Sequence, residues 1–505
     1  MPLTLATVVV RTLSWPDYLL LTLYFAINLG IGWWCARRKQ SSGNFFLGNN
    51  RVAWWAAAIS LFATGTSSIS FMGLPSKSYA TDWMAYGSSP AQAAAGILVG
   101  IVFVGLLRQL NLTTVFGYLE RRFDWRVRLL GAGLGVLLKV GGRMSVVMLL
   151  PALALSTVTG LNVYGSVLVM GGVTTIYALK GGFDAVIWTD VLQSAVMLGG
   201  VTIALIYLAN GVDGGLAGIV QTGGAAGKFQ MISWDRDITK PTVWVFAGMF
   251  FGHIFTQVAD QPQMQRMLAT ADTKDARRVV VMGNVIGLAG SVAFFFVGSA
   301  LWVFYHAHPD RLAPDLPNDK IFPYFIVNEL PHGVVGLIVA GLFSAAMGTL
   351  SSSINATAAI IVSDFQGTFR PDATEVQRLR LARIATVACG LLATAMAVYL
   401  ADRNVASLWD EYLKLTALIG GGFPGVFALG LLSRRANAPG VIVGALASIA
   451  VTWWVQHQRY AAISVFLHVF IAVASCMIVG YAMSLVFSAR SAKRDLRGLT
   501  LWDRA

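Results

Sequence analysis

Cysteine and histidine are scarce in this chain, which has three cysteines and six histidines among 505 residues. The cysteines lie inside apolar runs and no pair has metal-ligand spacing, which argues against a disulfide framework or a zinc site. The sequence also has no HExxH motif, no paired carboxylates in an apolar run and no Ser/His arrangement there. A membrane enzyme is therefore disfavoured, and no catalytic residue is predicted.

Charged residues make up only 12% of the chain, whereas hydrophobic residues make up 56%. Apolar windows of about 20 residues, the length that crosses a bilayer, recur along nearly all of it. The sequence thus predicts an all-α polytopic membrane protein, with residues 1–505 as a single membrane domain. The thirteen predicted spans are 17–36, 52–74, 84–107, 129–158, 162–179, 184–209, 242–258, 279–306, 332–362, 382–402, 411–433, 439–456 and 461–487.

Basic residues predict the orientation of these spans. Arg37, Arg38 and Lys39 directly follow the first span, which we expect to be retained because it is too long for a signal-peptide core. They place the N-terminus outside and, after thirteen crossings, the C-terminus in the cytoplasm. The predicted inside stretches hold 25 Lys and Arg residues and the outside stretches hold 8. The net charge of +13 is thus a topology signal and predicts no nucleic-acid partner.

The ten spans between 52 and 433 divide into two groups of five. Because five is odd, the groups would cross the membrane in opposite directions, as inverted-topology repeats require. The predicted units are an extra first helix at 17–36, a first repeat at 52–209, a second repeat at 242–433, two further helices at 439–487 and a basic cytoplasmic tail at 488–505.

A polar run that contains glycine, from Ala63 to Ser70, interrupts the second span. One interpretation is a helix that breaks at membrane depth around a cavity or solute, with freed carbonyls that can hold a cation. The other is a continuous helix whose hydroxyls bond back to their own carbonyls. If the span is broken, span 242–258, with Gly248, Gly252 and His253, would be its counterpart in the second repeat.

Arg143 and Asp190 are the two ionisable residues inside predicted spans to which we assign a role, since such groups are costly there and usually functional. Arg143 lies about 21 Å into its span. It suits a carboxylate ligand, which a guanidinium can bind through two parallel hydrogen bonds; the alternative is a structural pair with a carboxylate in the membrane. Asp190 needs a cation, a proton or a buried base, and we favour a bound cation. Residues near span ends are expected at the interface: Asp260, Asp410, Glu411 and Lys414.

The span 332–362 has Ser, Thr and Asn side chains across its centre. Thr349, Ser352 and Asn355 share one helical stripe, and Ser351 lies beside it. These hydroxyls either bond their own backbone and neighbouring helices or supply oxygen ligands to a hard monovalent cation. A site without a carboxylate would favour Na⁺ over Ca²⁺ or Mg²⁺.

Several segments of the chain resemble the sodium/solute symporter family, which includes sodium-coupled transporters of glucose, proline, iodide, monocarboxylates and sialic acids. The resemblance covers nearly the whole chain and is greatest to the bacterial sialic acid branch. The matching segments are Phe71 to Trp83, Arg121 to Asp124, Gly142-Arg143, Gly181-Gly182, Ile187 to Gln193 and the Ser-rich span that ends at Asn355. The resemblance implies about thirteen helices with a LeuT-type core of five-plus-five inverted repeats.

The resemblance also implies the sites. The main sodium site would use carbonyls of Ala63, Thr66 and Ala345 and the hydroxyl of Thr349. The family usually has a second Ser or Thr where this chain has Gly348, which removes a hydroxyl ligand. The second sodium site of the sialic acid branch would fall on Asp190, Ser351 and Ser352 of this chain.

Substrate contacts implied by the resemblance are Ser67, Ser70 and Arg143. On the next span this chain has Ser89 and Ala85 where the sialic acid branch has Gln and Phe, which indicates a different substrate. Arg143 indicates that the substrate still bears a carboxylate. We expect Na⁺-coupled symport, with one or two Na⁺, of a small organic anion such as a sialic acid or another monocarboxylate. The alternative is a neutral solute (sugar, nucleoside or vitamin) or an inorganic anion on the same fold. Apart from the lipid bilayer, no obligate partner is predicted.

Overall fold

The computed structural model describes residues 12–37, 41–402, 416, 422–457, 463–487 and 495–502, and every regular element in these residues is a helix. Predictions for Arg38, Lys39, Asp410, Glu411 and Lys414 lie outside the described residues. The helices in chain order are α1 (Trp15–Ala36), α2 (Ser42–Leu47), α3 (Trp54–Gly65), α4 (Ser68–Ala80), α5 (Ser88–Val102), α6 (Val104–Gln109), α7 (Phe116–Arg122), α8 (Trp125–Leu138), α9 (Met144–Thr159), α10 (Val163–Asn210), α11 (Gly215–Ala225), α12 (Val243–Ala259), α13 (Gln261–Leu268), α14 (Thr273–Ala307), α15 (Ile321–Glu329), α16 (Val334–Ile360), α17 (Gly367–Phe369), α18 (Glu375–Ala401), α19 (Gly422–Leu432), α20 (Ala438–His457) and α21 (Val465–Val486).

Among the described residues, eight helices are long and apolar enough to cross a bilayer, and a bent pair makes a ninth. The predicted number of thirteen is not confirmed. One reason is that two predicted spans, 162–179 and 184–209, both belong to α10, which is interrupted only at Gly182. Gly182 has a φ of 58°, and a Cβ there would lie 3.0 Å from the carbonyl oxygen of Phe45, so glycine is required at this junction.

The second predicted span is broken at its polar run. α3 ends at Gly65 and α4 begins at Ser68, and the two helices meet at an angle of 61°. Thr66 and Ser67 between them have extended backbone conformations, with ψ values of 103° and 172°. The break confirms the first of the two interpretations of this segment and leaves backbone groups of both helices without their usual partners.

A second interruption separates α12 from α13 at Asp260, whose ψ is 101°. We predicted that the span ends at residue 258 and that a cytoplasmic stretch follows. Helix α12 ends at Ala259, which agrees with the predicted end of the span at residue 258, and residues 261–268 of the following stretch form a helix with nearly all of its residues buried. Asp260, which we expected at the interface, has a side chain that is only 13% exposed.

Helix α16 lies at the centre of the fold and packs against α10, α1, α18, α9 and α3, with nearly all of its residues buried. Its first turn is held by a residue of another helix. Asp17 of α1 is fully buried, and its carboxylate accepts hydrogen bonds from the backbone N–H groups of Gly333 and Gly336 at 2.7 and 2.8 Å. A carboxylate at this end complements the positive pole of the helix and fixes where α16 begins.

Candidate ion and solute site at the broken helices

The carbonyl oxygen of Thr64 is at the centre of the break in the second span. In a continuous helix it would accept the N–H of Ser68, but the break removes that donor. Instead, the Oγ1 of Thr349 donates to it across 3.5 Å, and Nη2 of Arg143 donates across 3.1 Å. The structure therefore brings a predicted sodium ligand and a predicted substrate contact to the same freed carbonyl.

Gly348, next to Thr349, faces a group of oxygen atoms. A Cβ built on this glycine would lie 3.0 Å from Gln193 Oε1, 3.3 Å from Asp190 Oδ1 and 3.6 Å from the carbonyl oxygen of Ala63. The first two atoms are buried and have no hydrogen-bond donor among the residues described by the structure. Buried acceptors are rarely left without a partner, so this corner suits a ligand that is a cation or a hydrogen-bond donor.

The orientation of the Gln193 amide follows from its neighbours. Asn28 Nδ2 donates to the carbonyl oxygen of Tyr24 at 2.9 Å, which makes Asn28 Oδ1 an acceptor. Gln193 Nε2 donates to that oxygen at 3.0 Å. Gln193 Oε1 must therefore be the atom that faces Gly348, beside the carboxylate of Asp190.

Asp190 is paired with a base that the sequence analysis did not single out. Arg266 of α13 donates through Nη2 to Asp190 Oδ2 at 2.9 Å, and both side chains are fully buried. Ser60 Oγ also donates to this oxygen, and Arg266 Nε donates to Ser60 Oγ at 2.9 Å. Of the three partners considered for Asp190, the structure shows a buried base at Oδ2, and the bound cation that we favoured stays a prediction.

The two serines of the predicted second sodium site also have protein partners. Ser352 Oγ accepts a hydrogen bond from Arg266 Nη2 and lies 3.0 Å from Thr64 Oγ1. Ser351 Oγ donates to the carbonyl oxygen of Gly348 at 3.2 Å. Because Oδ2 of Asp190 is bound by Arg266 and Ser60, Oδ1 is the carboxylate oxygen that remains without a donor among the described residues, and it faces Gly348.

Arg143 belongs to a second charged cluster on the other side of the break. Lys139 Nζ lies 3.1 Å from Asp260 Oδ1, and Arg143 Nη1 lies 3.6 Å from Asp260 Oδ2. The structure thus shows one carboxylate shared by two cations, Lys139 and Arg143. This cluster has a net charge of +1, and the Arg143 side chain is still 17% exposed.

The remaining predicted contacts are spread around the break. Ser67 immediately precedes α4 and its side chain makes no capping hydrogen bond, while Ser70 is half-buried in the first turn of α4. Ala345 lies one turn before Thr349 on α16. Ser89 is half-buried near the start of α5, and the described contacts do not place it or Ala85 against Arg143.

Sequence reasoning missed the roles of Arg266 and Gln193 and the ion pairs of Asp260. Residues 261–268 are too polar to register as part of an apolar span, so they were assigned to a loop. The inverted repeat could have indicated this helix. The broken span of the first repeat continues for thirteen residues after its break, in α4. Its counterpart in the second repeat should therefore also continue beyond residue 258.

These features define a class of protein: a polytopic membrane transporter in which two interrupted helices meet polar groups of a central helix. The sequence profile of the Sodium:solute symporter family matches residues 45–448, and the chain belongs to this family. The coupling ion of the family is sodium, and its members are transporters and not enzymes.

Two relatives and one solved structure give the extent of the similarity. The chain is 33% identical to the sodium/sialic acid symporter NanT of Aliivibrio fischeri over 475 residues, which cover 93% of each chain. It is 33% identical to the sodium/sialic acid symporter SiaT of Proteus mirabilis, over 86% of this chain and 88% of the relative. The structure of a Na⁺-coupled sialic acid symporter in a substrate-bound, outward-open state matches with a TM-score of 0.87 and 30% identity, covering 95% of this chain and all of the other. The LeuT-type fold implied by the sequence is thereby confirmed.

Proposed function

We propose that this protein imports a small organic anion together with Na⁺ by alternating access. The observation that supports this proposal most directly is the meeting of Thr349, Thr64 and Arg143 at the broken helix. Sodium bound there would hold α3 and α4 against α16 and so complete an adjoining substrate pocket. Binding of the two ligands would be cooperative, and each would raise the affinity for the other by the same factor.

The donors near the break fit an alkali ion. We assign the main sodium site to the carbonyls of Ala63, Thr66 and Ala345 and to the hydroxyl of Thr349. The supporting observations are that Thr349 Oγ1 lies 3.5 Å from a carbonyl of the break and that the Ala63 carbonyl faces the same helix at Gly348. All of these donors are neutral oxygens, which suit a monovalent cation better than a divalent one.

The charge distribution supports an anionic substrate. Lys139 and Arg143 share the single carboxylate of Asp260, so the cluster beside the break has an excess positive charge. The N-terminus of α4 lies four residues beyond Thr64, and its capping side chain, Ser67, makes no capping hydrogen bond. Half-helix N-termini in transporters face anionic substrate groups. A carboxylate would bind between Arg143 and this helix end, near Ser67 and Ser70, with Ser89 on the neighbouring wall.

The second sodium site stays a prediction. Its proposed ligands are Asp190, Ser351 and Ser352, but Arg266 occupies one oxygen of the carboxylate and the hydroxyl of Ser352. An ion at this site would have to use Asp190 Oδ1, beside Gln193 Oε1. If this oxygen binds no ion, we expect one Na⁺ to be transported per cycle; if it binds an ion, we expect two Na⁺. A reversal-potential measurement in proteoliposomes would distinguish these two stoichiometries.

We further propose that the protein lies in the inner (plasma) membrane with its N-terminus outside and its C-terminus in the cytoplasm. The repeats would be residues 52–209 and 242–433. The support for this arrangement is the distribution of Lys and Arg between predicted loops and the pair of interruptions at Thr66–Ser67 and Asp260.

The substrate class is tested by uptake into proteoliposomes under an imposed Na⁺ gradient. Radiolabelled sialic acid, short monocarboxylates, glucose, a nucleoside and iodide would be compared with K⁺ in place of Na⁺. We expect Na⁺-dependent uptake of a carboxylate and no uptake of the neutral solutes. Uptake of only a neutral solute or iodide would contradict the anion assignment and leave the symport assignment intact.

The sodium site is tested with a hydroxyl deletion. Thr349→Val removes the ligand oxygen at nearly constant volume and should raise the Na⁺ concentration for half-maximal uptake by about tenfold or more, the factor for a charge-assisted contact of at least about 1.4 kcal/mol. Thr349→Ser should restore most of the affinity. Thr357→Val, the same change two turns further along α16, is the matched control. Equal Na⁺ dependence in the Thr349 and Thr357 variants would remove Thr349 from the site.

A further inference from the structure

A groove lies between the end of α16 and the start of α18, away from the ion and solute site. It has a volume of about 430 Å³, which is within the usual range for pockets that bind small molecules. The wall from the α16 side comes from the π-helical turn Ile361–Gln366 and from Phe369. The wall from α18 includes Leu381 and Ile384. The groove is therefore mainly apolar.

Two arginines line this apolar groove, Arg370 and Arg380. Both side chains are exposed, and neither makes a hydrogen bond or ion pair with any residue that the structure describes. The neighbouring Arg378, in contrast, donates to the carbonyl oxygens of Ala373 and Pro371 at 3.1 and 3.0 Å. Two guanidinium groups thus remain available for an anionic ligand at this groove.

The surface beyond the groove is suited to an acyl chain. Ile384 is 54% exposed and Leu391, two turns further along α18, is 64% exposed. Residues seven positions apart lie on the same face of a helix, so the apolar wall of the groove continues along the outside of α18. Residues 363–383 belong to a predicted cytoplasmic stretch, which places the arginines at the inner surface of the bilayer, where anionic lipids attract basic residues.

We propose that this groove binds an anionic phospholipid. The lipid phosphate contacts Arg370 and Arg380, and one acyl chain lies along Leu381, Ile384 and Leu391. A zwitterionic lipid of the same chain length would bind more weakly, because its headgroup cation opposes the two guanidinium groups. The proposal does not depend on which solute the protein transports, since it uses only the groove, its charges and the position of the membrane.

The test is native mass spectrometry of the full-length protein titrated with phosphatidylglycerol and with phosphatidylcholine that has the same acyl chains. We expect wild-type protein to retain phosphatidylglycerol selectively. Arg370→Gln with Arg380→Gln should weaken retention about thirtyfold, because each basic residue near an anionic lipid contributes about 1 kcal/mol. Ile384→Trp, which fills the groove without changing the charge, should also reduce retention.

The matched control is Lys274→Gln with Arg277→Gln, which removes two exposed positive charges from the predicted cytoplasmic start of α14. It should change retention by no more than about twofold, because charges distant from the groove are screened. An equal loss of phosphatidylglycerol retention in the two double variants would overturn the proposal, because it would indicate a general attraction of the basic protein surface to anionic lipid. Equal retention of the two lipids by the wild-type protein would overturn it as well. So would protection against thermal unfolding by inorganic phosphate that equals the protection by phosphatidylglycerol.

Discussion

Replacing Gly348 with serine should stabilise the protein relative to alanine at the same position. A Cβ at this residue lies 3.0 Å from Gln193 Oε1 and 3.3 Å from Asp190 Oδ1, two buried acceptors without a donor among the described residues. A serine hydroxyl, one bond beyond that Cβ, can donate to either oxygen. An alanine methyl group fills the same space and donates to neither.

The expected difference comes from one hydrogen bond. A hydrogen bond to a charged acceptor contributes about 1.5–3 kcal/mol, and one to a neutral acceptor contributes about 1 kcal/mol. Both variants place a Cβ at the same short distances, so the crowding and the loss of glycine flexibility cancel between them. The free energy of unfolding of Gly348→Ser should therefore exceed that of Gly348→Ala by about 1–3 kcal/mol.

The assay compares chemical unfolding of the two purified variants in detergent without Na⁺. A second measurement, Na⁺ titration of transport, tests the ligand role of the same hydroxyl, since an added oxygen beside Thr349 should lower the half-saturating Na⁺ concentration. Gly341 on the same helix provides the control pair: a Cβ there lies 3.4 Å from Met197 Cα and from the carbonyl oxygen of Val196. Val196 lies inside α10, where its carbonyl already has a helical donor, so serine should have a much smaller advantage over alanine there.

Equal stability of the two Gly348 variants would refute this reasoning. It would mean that the two acceptors already have a donor in the folded protein, and the corner would then provide no room for a further ligand. If serine stabilised the protein over alanine as much at Gly341 as at Gly348, the effect would not be specific to the two acceptors at Gly348.

Three further predictions concern the charged groups. Arg143→Gln should abolish uptake of a carboxylate but leave Na⁺-dependent thermal stabilisation intact, because Asp260 keeps Lys139 as a partner at 3.1 Å; normal uptake would contradict the anion assignment. Arg266→Met should lower the free energy of unfolding by about 3–5 kcal/mol, since it leaves a buried carboxylate unpaired, and adding Asp190→Asn should recover much of the loss; a double variant as unstable as the single one would argue against the pair. Asp17→Asn should cost about 1 kcal/mol in chemical unfolding, because it removes the anion at the first turn of α16, and an unchanged midpoint would contradict that role.

A broken helix was one of the two interpretations that the sequence left open for the second span, because a run of small polar residues inside an apolar window has few structural explanations in lipid. Ala63 to Ser70 contained enough information to locate the break within a few residues. The resemblance to the family implied that Thr349, in the Ser-rich centre of α16, shares a sodium site with carbonyls of the break, and Thr349 does reach Thr64. Local composition and helical periodicity indicated only the polar run and the polar stripe on α16, and not that the two meet.

The charge pairing could not be predicted in the same way. Asp190 looked unpaired because its partner, Arg266, lies 76 residues away in a segment too polar to be recognised as membrane-embedded. Asp260 looked interfacial because it follows the last apolar residue of its span. In both cases the partner is set by the three-dimensional packing of the two repeats, and hydropathy along a single chain does not report which polar residues meet.

The short helix α13 has a consequence for the order in which the protein folds. Its eight residues extend about 12 Å, less than half of the roughly 30 Å hydrocarbon thickness, so it is too short to cross a bilayer by itself. The partners of its Arg266 guanidinium are the carboxylate of Asp190 on α10 and the hydroxyl of Ser352 on α16. We therefore expect α13 to reach its buried position only after α10 and α16 have packed together.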